Sequence, residues 1–166
     1  MDEIARMSEE RRSMLADAPF AAVCIRRAAV ADAAEIARLA AQFGHPVLVR
    51  EVCARIAALA EIPSQYLAVA EGPGAALAGW IQVERRLVLV AGERAEIIGL
   101  VVDAAARRRG VGALLVDAAQ QWARAANLAE IIVRSNVVRD VSHVFYLALG
   151  FSRAKTQHIY AKSLLG

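Results

Sequence analysis

AEIIGLVVDAAARRRGVGALLVDAAQQWA, residues 95–123, decides the fold, because it joins an apolar strand through a basic, glycine-containing turn to a long amphipathic helix. Gly110 and Gly112 let the backbone approach a ligand closely, and the first turn of the helix leaves N–H groups without intrahelical partners. Those donors, the positive end of the helix dipole, and Arg107, Arg108 and Arg109 together predict a cradle for a phosphate or pyrophosphate.

The rest of the chain limits what such a cradle can serve. Its 166 residues suffice for one sizeable core, so we expect a short N-terminal extension over 1–20 and a single domain over 21–166. Hydrophobic residues make up 58% of the sequence, yet charges break every apolar run before the ~18 residues needed to cross a bilayer, which predicts a soluble protein with no membrane partner. The N-terminus lacks the apolar core of a signal peptide, and a cytoplasmic location is the expectation. Net charge is +3, carried almost wholly by arginine, with Lys155 and Lys162 the only lysines. That balance favours an anionic ligand, but no aromatic ladder accompanies the basic turn, and no nucleic acid is expected as a partner. Cys24 and Cys53 sit in apolar segments and are expected to be buried reduced thiols, and His45, His143 and His158 are scattered, so no metal site is expected.

Working outward, Ala22 to Arg27 is a first strand, and Asp32 is the N-cap of a helix with Ile36, Leu39 and Ala40 on one face. Gly44 and Pro46 close it; a second helix follows over 48–59, then a strand at 66–70, a turn at EGPGAA, and a strand from Leu77 to Glu84. A strand over 95–102 precedes the helix that Gly110 begins and that ends near Ala126, with Asn127 as its C-cap. Residues 130–135 form the next strand, and a helix over 138–149 stops at Gly150. The closing FSRAKTQHIYAKSL is predicted as two short strands around a turn. Trp80 and Trp122 fall in apolar settings suited to a core.

Two rival glycine motifs compete for the turn. A nucleotide-hydrolase phosphate loop needs Gly-Lys followed by Ser or Thr, whereas Ala113 and Leu114 follow Gly112. A dinucleotide fold needs a third glycine, but position 115 is Leu; Arg134 at the end of the next strand leaves an NADP-binding reductase as a weak rival.

Arg107, Gly110 and Gly112 match the acetyl-CoA signature of the GNAT N-acetyltransferase superfamily, a Gln or Arg, two residues, Gly, one residue, then Gly or Ala. SNVVRDVSHVFYLALGF, residues 135–151, resembles that family's next block in Asn136, Phe145, Tyr146, Gly150 and Phe151, and the resemblance covers residues 22–163. It implies an α/β (α+β) GNAT fold: a central mixed, mostly antiparallel, splayed sheet flanked by helices, in the order β α α β β β α β α β β.

The resemblance also implies acetyl-CoA as cosubstrate. Its pyrophosphate would lie against the turn from Arg107 through Arg108, Arg109, Gly110, Val111 and Gly112 to Ala113. Its pantetheine arm would pair like an added strand with Leu100, Val101 and Val102, with Asn136 adding a side-chain contact. Tyr146 corresponds to a tyrosine that many members place near the thioester sulfur, where a phenol can protonate the departing thiolate; the alternative is a core aromatic. Glu96 stands four residues before Leu100, where one branch carries a glutamate base; the alternatives are a solvated carboxylate, a water chain or another acid. With a regular pleat Glu96 shares its face with Ile98, Leu100 and Val102, an apolar setting that would raise its pKa. Oxyanion stabilisation is expected from a backbone N–H near Leu100 or Val101. The implied reaction is acetyl transfer to a small-molecule primary amine within a ternary complex. Aminoglycosides and protein N-termini are alternative acceptors, and a non-catalytic CoA-binding module is an alternative function. His143 shares the Tyr146 helix face as a packing or hydrogen-bonding neighbour, and dimers are common in the resembled family.

Overall fold

The computed structural model describes residues 23–72 and 76–164. The predicted N-terminal extension and the Ala22 start of the first strand lie outside the described residues. The chain divides into two compact units, Met1–Val133 and Arg134–Gly166.

The larger unit holds β1 (Cys24–Arg27), α1 (Ala33–Gln42), α2 (Val49–Ala60), β2 (Gln65–Glu71), β3 (Leu77–Val88), β4 (Gly92–Val102), α3 (Val111–Ala125) and β5 (Ile131–Val133). The sheet order is β1-β2-β3-β4-β5, antiparallel throughout except for the parallel β4–β5 pair. This is the expected mixed, mostly antiparallel sheet.

Cross-strand partners share a face, so the register sorts every strand residue to one side or the other. Val69, Trp80 and Val101 face α1 and α2, where they pack with Ile36, Leu39, Val52, Ile56 and Leu77. On the opposite face lie Gly79, Ile81 and Val83, with Leu115 of α3 packed against them. Ile81, Val83, Val111 and Leu115 are fully sealed from solvent; each such aliphatic side chain contributes about 1.5–3 kcal/mol by leaving water.

Besides Cys24, which was expected to be buried and is exposed, three expectations need correcting. Asp32 does not cap α1 with its side chain. It ends a single 3-10 turn (Val30–Asp32), and its oxygens accept both Nη atoms of Arg26 at 2.8 Å and the Ala29 N–H at 2.8 Å. A guanidinium fork satisfies both oxygens, which a cap could not. Second, β3 and β4 run past their predicted ends at Glu84 and Ala95. Arg85 pairs with Glu93 across the extension at 2.6 Å, and Gly92, at φ 73°, helps close the turn. Third, the two terminal strands do not form: no helix or strand occurs from Phe151 to Leu164. A strand exists only through a partner's ladder, and none of these residues enters one.

In the smaller unit α4 (Asp140–Ala148) ends as predicted at Gly150, whose φ of 86° suits glycine.

Two ion clusters tie the larger unit together. Arg26 of β1 bridges Asp32 and Glu71, and Arg38 of α1 bridges Glu35 and Asp103 at the end of β4. Hydrogen bonds from Arg26 hold the Asp32 carboxyl below the usual carboxylate range, and those from Arg38 do the same for Glu35 and Asp103. Each folded value lies under its unfolded one, so this stability is complete above about pH 5 and is lost as pH falls through the folded values. The midpoint of thermal unfolding should therefore drop between about pH 5 and pH 3, and less steeply in Asp32→Asn. Parallel curves for the two proteins would mean that the Arg26–Asp32 pair does not govern acid stability.

Candidate active site

β4 supplies one wall of the site. Its parallel pairing with β5 covers only Ala95 to Ile97, and among the described residues no strand pairs with the rest of β4 on that side. On the other side, Asp103 donates its N–H to the Ala78 carbonyl at 2.8 Å. Peptide groups alternate direction along a strand. Val101 therefore addresses β3, while Leu100 and Val102 present their peptide groups to the splayed side.

The next segment is pinned at its start. Asp103 accepts the Ala105 N–H at 2.8 Å and Arg38 Nη1 at 2.7 Å, and Gln42 accepts the Ala104 N–H at 3.2 Å. The backbone then turns twice through the left-handed region, at Arg108 (φ 60°) and at Gly110 (φ 82°), the N-cap of α3. Gly110 meets that requirement without the penalty other residues incur. The first bond of the helix ladder runs from Leu114 N–H to the Gly110 carbonyl. The N–H groups of Val111, Gly112 and Ala113 thus precede the ladder at the positive end of the dipole. Arg107, Arg108 and Arg109 are exposed around them, with Arg107 Nε directed to the Val102 carbonyl at 3.5 Å.

Glu96 is buried, 4% exposed, but not in the setting its sequence position suggested. Val83 pairs with Ile97 and Gln82 with Gly99, leaving Ile98 as a β-bulge. The pleat is irregular there, and Glu96 lies on the face opposite Leu100 and Val102. It shares the α1–α2 face with Trp80, Gln82, Glu84 and Arg86 of β3. The setting is ionic: Arg86 Nη1 donates to Glu96 Oε2 at 2.9 Å, and Glu84 stands directly across the ladder. The Trp80 ring covers Gly99, where a Cβ would come within 2.8 Å of it.

In the smaller unit Asn136 Oδ1 accepts the Val138 N–H at 3.2 Å, so that oxygen organises the turn into α4. His143 Nε2 lies 3.0 Å from the Asn136 carbonyl oxygen, a partner other than the Tyr146 beside which the sequence placed it. Tyr146 meets Phe145 and Phe151 edge-on, with ring centroids 5.1 and 5.5 Å away. Burial pushes its phenol above its ordinary value, against a smaller opposing pull from Arg139.

Arg86, Glu84 and Asp103 were not singled out by the sequence; their positions depend on cross-strand register, which no local pattern encodes. A separate open groove of about 470 Å³ between the β1–β2 edge and α3 is lined by Tyr66, Trp122, Asp117 and Gln121. Its Asp117 carboxylate accepts Gln121 at 2.6 Å, and its rings stack at 5.5 Å, an arrangement without a nucleophile or a poised base. Among the described residues no cluster of His, Cys, Asp or Glu is placed to hold a metal ion, and no helix is long and apolar enough to cross a membrane.

The β4 edge and the turn into α3 suit a ligand with an extended, amide-bearing arm and a pyrophosphate. The edge offers strand-type hydrogen bonds, and the turn offers three pre-ladder N–H groups immediately after three exposed arginines in the chain.

Residues 32–151 match the family described as Acetyltransferase (GNAT) family. No curated protein matches the chain. Among solved structures, a transcriptional regulator from Bacillus halodurans C-125 aligns with a TM-score of 0.74 at 25% identity, over 84% of this chain and 99% of that one. The aminoglycoside antibiotic 6'-N-acetyltransferase AAC(6')-IG from Acinetobacter haemolyticus aligns at 0.72 and 18% identity, over 85% and 99%. AAC(6')-Iy, in complex with the bisubstrate analog CoA-S-monomethyl-acetylneamine, aligns at 0.74 and 22% identity, over 85% and 98%. At these identities the last two bear on the fold.

Proposed function

The chain belongs to the acetyltransferase (GNAT) family, and from that premise we propose that it transfers acetyl from acetyl-CoA directly to the primary amine of a small molecule while both are bound. The observation that carries this reading is the splayed edge of β4 leading into the cradle at the start of α3. Leu100 and Val102 hold the pantetheine arm through their outward peptide groups. Arg107, Arg108 and Arg109, with the N–H groups of Val111, Gly112 and Ala113, hold the pyrophosphate. Asn136 contributes a side-chain contact, as the family resemblance implies.

Bound acetyl-CoA supplies an acetyl thioester, an acyl group already activated toward an amine. The chain's residues manage protons and charge. Glu96 accepts the proton that the acceptor must lose, since an ammonium has no lone pair with which to attack. A C–N bond then forms and the C–S bond breaks, with charge on the carbonyl oxygen met by the Leu100 N–H, which faces the splayed side. Val101 is the weaker candidate for that role because its peptide addresses β3. The Tyr146 phenol gives its proton to the departing sulfur, and the second proton that the nitrogen sheds as the amide forms restores the phenol.

The test is release of CoA thiol from acetyl-CoA in the presence of amines, with Arg107→Glu/Arg109→Glu as the paired variant. We expect amine-dependent thiol release by the wild type. In the double variant the CoA dissociation constant should rise about 30-fold, ~2 kcal/mol, because two charge-assisted contacts become repulsions. An unchanged dissociation constant would remove the cradle from the mechanism. The name of the Bacillus halodurans neighbour favours a second reading, a CoA-responsive regulatory module. CoA binding without thiol release to any amine would select it.

A further inference from the structure

The charged residues on the α1–α2 face of the β3–β4 hairpin point to the class of acceptor. Glu84 stands opposite Glu96, and one step along the same face Arg86 stands opposite Arg94. Two like-charge pairs stacked this way are unfavourable by themselves. One diagonal of the square relieves part of the cost: Arg86 reaches Glu96 at 2.9 Å. The other diagonal does not close. Among the described residues neither Glu84 nor Arg94 makes a hydrogen bond or salt bridge, and Arg94 Nε is buried with no partner. A right-handed sheet twist brings the residues of one diagonal together and moves those of the other apart. The hairpin thus keeps, on either side of a closed ion pair, a guanidinium whose Nε has no partner and a carboxylate, Glu84, that attracts Arg86 through space without a hydrogen bond.

We propose that this open diagonal is the acceptor subsite and that the acceptor is an amino acid or a similar small amino carboxylate, its amine between Glu84 and Glu96 and its carboxylate on Arg94. The inference rests on the acetyl-transfer reading above and narrows it. Positions two apart on one strand face are about 6.6 Å apart, a span that flexible Glu and Arg side chains close around an amine and a carboxylate a few bonds apart. A buried N–H of Arg94 has its missing acceptor in the carboxylate, with charge-assisted geometry. Polycationic acceptors would bring a second positive charge against Arg94 and Arg86, which the same arrangement disfavours.

The experiment compares the twenty protein amino acids, each against its α-amide, as acceptors in the thiol-release assay with wild type, Arg94→Gln and Arg94→Lys. The amide keeps the amine and removes the anionic charge, but it also lowers the amine's pKa, so kcat/KM is compared per neutral amine for acid and amide alike. Wild type should use at least one amino acid with kcat/KM about tenfold or more above its amide, ~1.4 kcal/mol. Arg94→Gln should bring that ratio to within about threefold of unity, and Arg94→Lys should fall between. A purely structural role would lower both substrates together and leave the ratio in place, which would overturn the proposal. So would equal use of acid and amide by the wild type. The rise in unfolding temperature on adding the same amino acids is read alongside. A rise that needs Arg94, with no thiol release, would keep the subsite and sink acetyl transfer. Thiol release to amines without the acid preference would do the reverse, and neither response would overturn both.

Discussion

Tyr146→Phe should lower kcat about 100-fold or more while moving the KM for acetyl-CoA by less than about threefold. The substitution removes one oxygen and keeps the ring, so the edge-on contacts to Phe145 and Phe151 survive. What is lost is a proton that burial holds on the phenol beyond its ordinary value of about 10. A donor so placed stays protonated through neutral and mildly alkaline pH and loses its function only as pH rises through its raised value. The wild-type kcat should therefore show no basic limb from this group below about pH 10. Steady-state kinetics against pH for both proteins checks this. Equal turnover in Tyr146→Phe would take the phenol out of the reaction and leave it as a wall of α4.

The parts of this molecule that could be read in the sequence are those set by local chemistry. The demand for a left-handed residue before α3 is written in Gly110, and the end of α4 in Gly150. The periodic faces of α1 and α3 carry their own signal in Ile36, Leu39, Leu115 and Ala119. What escaped is set by partners distant in sequence. The bulge at Ile98 arises because β4 has one residue more than β3 over the same span, and nothing near Ile98 announces it. That single residue moves Glu96 from the apolar face it was expected to occupy to one shared with Arg86. The hairpin extension over Arg85 to Arg94 was missed for a similar reason: ERRLVLVAGER alternates weakly, and only the facing strand makes it a ladder. Asp32 reads in the sequence as a helix N-cap, but its side-chain partner, Arg26, sits six residues upstream on a strand.

Gly79→Ala should be among the most damaging small substitutions in the chain, and its consequence should extend to acetyl-CoA. A Cβ at this position would lie 2.6 Å from the Val101 carbonyl oxygen, 3.1 Å from Leu115 Cδ1 and 3.3 Å from Val102 Cα. The nearest of these is backbone in a paired strand, so relief requires β3 and β4 to separate or α3 to lift. Overpacking of this kind costs about 3 kcal/mol, or about 10 °C in unfolding midpoint for a chain of this size. Gly44→Ala makes the comparison clean. Gly44 has φ +86° but open space around its Cβ, so only the backbone penalty of about 1 kcal/mol applies. A Gly79→Ala midpoint no lower than that of Gly44→Ala would mean that the two strands shift without cost. Such a shift would still be felt on the other edge of β4. Leu100 and Val102 present their peptide groups there, and displacing that edge by a few tenths of an ångström misaligns the hydrogen bonds proposed for the pantetheine arm. Acetyl-CoA affinity, measured well below the unfolding midpoint, should accordingly weaken in Gly79→Ala and not in Gly44→Ala. A destabilised Gly79→Ala that binds acetyl-CoA with wild-type affinity would separate the fold from the site and leave the cradle at Gly110 as the principal anchor of the cosubstrate.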